Sequence, residues 1–246
     1  MELQSIRQMK MISILLIVAL ILPVASAATM KIYPSDDAFV RSTSTSTNFQ
    51  TDDWKHNLRA GYENSFGTDK SYLKFDLSSL QGKTVTSVNF SMFLVSNHDN
   101  PNLNLYYVNN TSWSESTLTW NNAPVTSTLI GTKSITSGGA PIRLSYNVNS
   151  YVSGGKLSLA LMEDGGTGFA NFYSKDLNTG SPGDEENWPY LTVSYDSGCI
   201  TGADTGGDGN IDMIELLNYI SSWKQGSVGM MDLLNAIGFW KAGTGC

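Results

Sequence analysis

Two histidines and two cysteines are all that the 246 residues contain of those types. The histidines, His56 and His98, stand 42 positions apart and belong to no HExxH pattern. GxSxG and phosphate-cradling glycine loops are also missing. These gaps argue against zinc peptidases, hydrolases with a nucleophile elbow, and nucleotide enzymes. Positive charge is scarce: 15 Lys and Arg against 22 Asp and Glu give a net charge of -7. No basic stripe and no interleaved aromatic–arginine run occur, so nucleic acid is not an expected partner. Charged residues of both signs make up only 15% of the chain, while Ser, Thr, Asn and Gly are abundant. That balance suits an extracellular β protein.

One apolar run stands out. Met11–Val24 follows Arg7 and Lys10 and precedes Ala25-Ser26-Ala27. A positive start, an apolar middle and a small-residue cleavage site form a secretory signal peptide over residues 1–27. An uncleaved anchor is the other reading, but the run is short for a bilayer span of roughly 20 residues. After cleavage no membrane span is expected, and the mature chain is secreted, at or near the cell surface. The two cysteines, Cys199 and Cys246, bracket the last fifty residues. In an oxidising compartment they are expected to pair, with free or intermolecular thiols as the alternative. Sequons at Asn89, Asn109 and Asn110 offer glycosylation sites to an exported chain.

Residues 28–196 read as strands. In Ser71–Val95, Leu73, Phe75 and Leu77 alternate with Tyr72, Lys74 and Asp76; Val88, Phe90, Met92 and Leu94 alternate likewise. Period two places each apolar set on one face, with the other face wet. Similar short runs cover Lys31–Tyr33, Ala38–Arg41, Leu103–Val108, Ile142–Val148, Leu157–Leu161, Phe169–Ser174 and Leu191–Tyr195. The stretch PSDD reads as a turn, and a helical turn fits near Asn149–Ser153. Nine or ten strands with turn signals between them predict a sandwich or barrel.

The order SYLKFDLSSLQGKTVTSVNFSMFLV, WSESTLTWNNAP, GGKLSLALMED, FYSKD and WPYLTVSYD resembles the DNRLRE-domain group, also classed as carbohydrate-binding module family 96. The resemblance covers about Asp36 to Asp196. It implies a jelly-roll antiparallel β-sandwich on a secreted or surface protein, and polysaccharide, acidic glycans included, as ligand. A polysaccharide or glycoprotein of the cell envelope is the implied partner. A purely structural envelope role and a disaggregatase-related enzyme are the alternatives.

For sugar, Trp54, Lys55, His56, Arg59 and Tyr62 form the best local cluster, with an aromatic face beside cations. Arg59 is suited to a bidentate grip on a glycan carboxylate. Trp54 as a core residue is the competing reading. Trp113 and Trp120 read as structural, and Trp188 as a residue of a loop rim. A glycosidase needs only two spaced carboxyls. Glu115, Glu163, Asp164, Glu185 and Glu186 are available, but acidic loop residues are usually plain surface, so no enzyme is expected.

Residues 197–246 differ. Asp204 to Glu215 (DTGGDGNIDMIE) follows a twelve-residue calcium-loop spacing. Asp204, Asp208, Asn210, Asp212 and Glu215 fall at ligand positions, and Gly209 at the tight turn. Gly206 replaces the usual Asp or Asn at position 3. Residues 208–226 and 225–243 match at 9 of 19 positions. Each predicts a helix, with stripes Met213, Leu216, Leu217, Ile220, Trp223 and Met230, Leu233, Leu234, Ile237, Trp240. The stripes pack on each other or meet a partner. Loop then helix, repeated, resembles the dockerin module, which implies a small all-α calcium-binding unit and a cohesin-like or surface-layer partner. The second loop lacks the acids, so one Ca2+ is expected.

Overall fold

The computed structural model describes residues 27–51, 54–81, 83–165, 168–178, 180–181, 183–196, 202–206 and 210–242. The expected leader up to residue 26, Cys199, Cys246, Asp208 and Gly209 lie outside them. Two compact units result, one over residues 29–195 and one that includes residues 196–246.

The first unit carries β1 (Ala27–Ile32), β2 (Pro34–Arg41), β3 (Asn57–Glu63), β4 (Gly67–Asp76), β5 (Thr84–His98) and β6 (Asn102–Tyr107). It continues with β7 (Thr128–Ser134), β8 (Ile142–Asn147), β9 (Lys156–Glu163), β10 (Phe169–Tyr173) and β11 (Tyr190–Asp196). They form a curled sheet in the order β1-β11-β5-β10-β3-β4-β9-β6-β7, with β2 added to β4 and β8 to β5. Within this sheet β4 changes partners along its length, and β5 takes different partners on its two edges. β4 pairs with β3 over Gly67–Asp69 and with β9 over Ser71–Asp76. β5 pairs with β8 over Asn89–Leu94 and with β10 over Leu94–His98, where a bulge shifts the register. Strands that switch sheets at bulges or bends make the corners of packed β structures.

Although consecutive, β4 and β5 share no ladder; they meet through their side chains. Leu73, Phe75, Val88, Phe90, Met92 and Leu94 are fully buried, and Phe75 meets Phe90 edge-on at 5.9 Å. Each such side chain contributes about 1.5–3 kcal/mol through burial. Gly61 fixes how closely β3 and β10 approach. A Cβ there would stand 2.3 Å from the Gly168 carbonyl oxygen, and its φ of +123° favours glycine as well.

Two expectations are corrected, and β7 is an addition to the expected strands. PSDD is the start of β2, not a turn. β7, TLIGTKS, lacks clean alternation and its residues are exposed or half-buried, so the pattern did not mark it. The supposed wet face of β4 is covered: Tyr72 and Lys74 are buried under the segment from Val108 to Ala123, which carries Trp113, Leu118 and Trp120. Irregular chain, rather than a strand, seals that face. Lys74 lies 2.9 Å from Asp36, donates to the Trp113 carbonyl and sits over the Trp113 ring. A buried cation persists only when paired in this way. Trp113 and Trp120 are structural, as read.

The second unit has α1 (Met213–Lys224) and α2 (Met230–Ala242). Ala203, Ile211, Leu216 and Ala236 form its small core, joined by Ile220, Ile237 and Trp240. Only part of each stripe is used: Met213, Leu217, Met230 and Leu234 stay about half exposed. Gly226, at φ +77°, follows α1. Among the described residues no helix is long and apolar enough to cross a membrane.

Candidate functional site

An open groove of about 870 Å3 runs along one end of the β3–β10 pair. Its position follows from register. Asn57 opens β3 opposite Tyr173, which closes β10. The residues just before β3 and just after β10 therefore lie side by side. Ser174 ties them: its N–H donates to the His56 carbonyl at 3.1 Å and its hydroxyl to the Lys55 carbonyl. Lys55 and His56 thus face Lys175, Asp176 and Asn178. His56 Nδ1 donates to the Asp176 carbonyl, so that nitrogen carries a proton. Trp188 forms another wall, held by its indole N–H on the Leu177 carbonyl at 3.1 Å. Asp184 and Glu185 complete the lining with negative charge.

Trp188 also joins the groove to a strip of rings. Tyr33 packs edge-on against Trp188 and Tyr190, at 5.6 and 6.2 Å. The Arg143 guanidinium lies over Tyr190 and Phe93, and Phe93 stacks on Tyr173. Rings with cations on their faces form ordered, amphipathic surfaces.

The five residues singled out from sequence do not form one site. Lys55 and His56 line the groove. Trp54 packs edge-on against Phe39 and Phe49, in a cage of rings around Arg41. Arg59 is not available for a glycan carboxylate, because Asp69 and Glu63 already hold it at 2.8 and 2.7 Å. Tyr62 belongs to a separate depression with Glu63, His98 and Phe169. The strand pairing separates them: Arg59 faces β4, where the buried Asp69 bridges Arg41 and Arg59.

Four residues that the sequence left unassigned as a group come together behind the groove. An oxygen of Asp37, one of Glu115 and one of Asp176 lie within 4.8 Å of one another. The Lys175 ammonium is 3.0 Å from Glu115 and 3.1 Å from Asp176. Burial raises the Asp37 carboxyl to about 8, against the opposing pull of the Lys175 N–H and ammonium. Glu115 and Asp176 sit inside the WSESTLTW and FYSKD motifs, so the signal was present, but positions 37, 115 and 176 become neighbours only in the fold.

In the tail, Glu215 completes a capping box with Asp212: Asp212 Oδ1 accepts from the Glu215 N–H at 2.7 Å, and Glu215 Oε2 from the Asp212 N–H at 3.0 Å. The other oxygen, Glu215 Oε1, accepts from the Gly206 N–H at 2.5 Å. Asp204 and Glu215 are both buried and converge on Gly206, where a Cβ would stand 3.9 and 3.0 Å from their oxygens. Asn210 and Asp212 are on the exposed side of this loop.

A curled antiparallel β domain with an open polar groove, one indole wall and charges of both signs has the make-up of a ligand-binding module. Residues 28–193 match the model of carbohydrate-binding module family 96, and the chain belongs to that family. It is also similar to a gellan lyase from a Bacillus species, at 37% identity over 106 residues. That match takes in 41% of this chain and 4% of the lyase, so the chain corresponds to a small part of that protein.

Proposed function

We propose that the protein is an exported, non-catalytic polysaccharide-binding protein whose β domain, a jelly roll, takes its ligand in the groove beside Trp188. The groove carries this reading: one ring face for a pyranose, with Lys55, His56 and Asn178 opposite as partners for hydroxyls or carboxylates. The strip from Trp188 through Tyr190 to Phe93 extends the track for a longer chain. Membership of a carbohydrate-binding family supports it further. The groove carries charges of both signs, and the gellan lyase makes gellan the natural first probe.

The tail is a calcium-binding, dockerin-like unit in this reading. Asp204, Asp208, Asn210, Asp212 and Glu215 would hold the ion, which supplies a hard positive centre that neutralises converging carboxylates. The fit rests on Asp204 and Glu215, both buried and aimed at Gly206. Exposed Met213, Ile214, Leu217, Met230, Met231 and Leu234 favour docking onto a cohesin-like or surface-layer partner over simple capping. An enzymatic role has less support, because the clustered acids Asp37, Glu115 and Asp176 centre on a fully buried carboxyl that a sugar does not reach.

Calorimetric titration with gellan and with a neutral glucan tests the site. Trp188→Ala with Asn178→Ala should weaken binding at least about tenfold, or about 1.4 kcal/mol. Unchanged affinity would remove the groove, and appearance of new chain ends in the glycan would revive the enzyme.

A further inference from the structure

We propose that the β domain binds a divalent cation of the calcium class between Asp37, Glu115 and Asp176. The site is separate from the tail loop and does not depend on the glycan reading. Three remote segments build it: β2 gives Asp37, the irregular cover of β4 gives Glu115, and the residues after β10 give Asp176.

The argument starts from Asp37, which is fully buried. Its Oδ2 accepts the Lys175 N–H at 2.8 Å. Its Oδ1 accepts no hydrogen bond among the described residues. A buried acceptor left without a donor is costly and asks for a partner. The unpartnered oxygen belongs to a carboxylate that shares a 4.8 Å cluster with two others. Three carboxyl groups share the site with a single ammonium, that of Lys175, so acid outnumbers base there, and a divalent cation suits such an excess.

The donor set is all oxygen, which selects hard cations over zinc or copper. His56, which also lines the groove, commits Nδ1 to the Asp176 carbonyl. Outer contacts already aim the ligands. The Asp37 N–H donates to Glu115 Oε2 at 2.9 Å, and Gln50 Nε2 donates to Asp176 Oδ2 at 3.1 Å and to the Asp37 carbonyl at 2.8 Å. Such second contacts orient metal ligands. Lys175 holds the place of a cation, and since it lines the groove its ammonium has a route out when the ion enters.

The test uses the mature chain with Asp204→Ala and Glu215→Ala, which silences the tail loop. After dialysis against EGTA, calcium chloride titration should still give one binding event, and calcium should raise the melting temperature of the β signal in circular dichroism. Adding Asp37→Asn, nearly the same shape without the charge, should abolish the event and the shift. Should that variant not fold, Asp176→Asn, at a partly exposed position, should weaken the event at least tenfold. Two results overturn the proposal: no heat and equal melting temperatures with calcium and EGTA, which makes Asp37 a neutral buried acid, or calcium binding that survives both Asn substitutions unchanged.

Discussion

Replacing Asp69 by Asn should separate the structural arginines from any ligand-binding ones. Asp69 is buried and accepts Arg41 Nε and Nη2 at 2.8 and 2.9 Å, and Arg59 Nε at 2.8 Å. Asn keeps the shape but brings two N–H donors toward guanidinium groups that have only donors. Arg59 retains Glu63, whereas among the described residues the buried Arg41 has no other ion pair. Its remaining company is a cage of ring faces, with Phe66 nearest at 4.3 Å. Those faces are worth about 0.5–2 kcal/mol and do not replace a carboxylate. Breaking a buried pair from one side costs about 3–5 kcal/mol, out of a total of roughly 5–15 kcal/mol. With an m-value of about 2 kcal/mol/M, the urea midpoint should fall by about 2 M at unchanged m. Glycan affinity of the folded variant should not change, because Arg59 lies outside the groove. A loss below about 1 kcal/mol, the ordinary worth of an exposed pair, would refute the reasoning. So would a loss of binding without a loss of stability.

Trp113→Ala should cost about 3–5 kcal/mol in the same assay, since a nearly buried indole leaves Tyr72 and Lys74 uncovered and the Ser158 hydroxyl without its donor. A cost near zero would mean that the Val108–Ala123 segment does not seal that face. Lys74→Met should move the acid limb of unfolding to higher pH. Burial raises the Asp36 carboxyl, but the Lys74 ammonium, the Glu115 N–H and the Ser35 hydroxyl outweigh it and hold it below its ordinary value. Its stability is therefore present above the unfolded value of 3.8 and is lost as pH falls through the lower folded one. Without Lys74 the largest opposing pull is gone, so an unshifted acid limb would deny the pairing. In the tail, Asp204→Ala with Glu215→Ala should remove one calorimetric calcium event and lower the melting of the helical signal in calcium; an unchanged titration would discard that loop as a ligand set.

Alternation told the core strands apart from the rest because burial on one face leaves a period-two trace in the residues themselves. Leu73, Phe75, Val88, Phe90, Met92 and Leu94 were legible for that reason. The two helices of the tail were legible too, because helix phase is local. β7 was not, since its exposed side chains carry no such trace. The covered face of β4 was not either: Tyr72 and Lys74 look like surface until Trp113 arrives from forty positions away, and only then does a polar residue count as buried. Local spacing likewise grouped Trp54, Lys55, His56, Arg59 and Tyr62, but strand pairing sent Arg59 to Asp69 and left Lys55 and His56 beside Lys175 and Asp176. The amino-acid order by itself determined which residues favour strand, helix and turn. Which polar groups share a site was decided by the tertiary structure, because charges and rings act through distances of a few ångströms, and those between Asp37, Glu115 and Asp176 exist only once three distant segments have met.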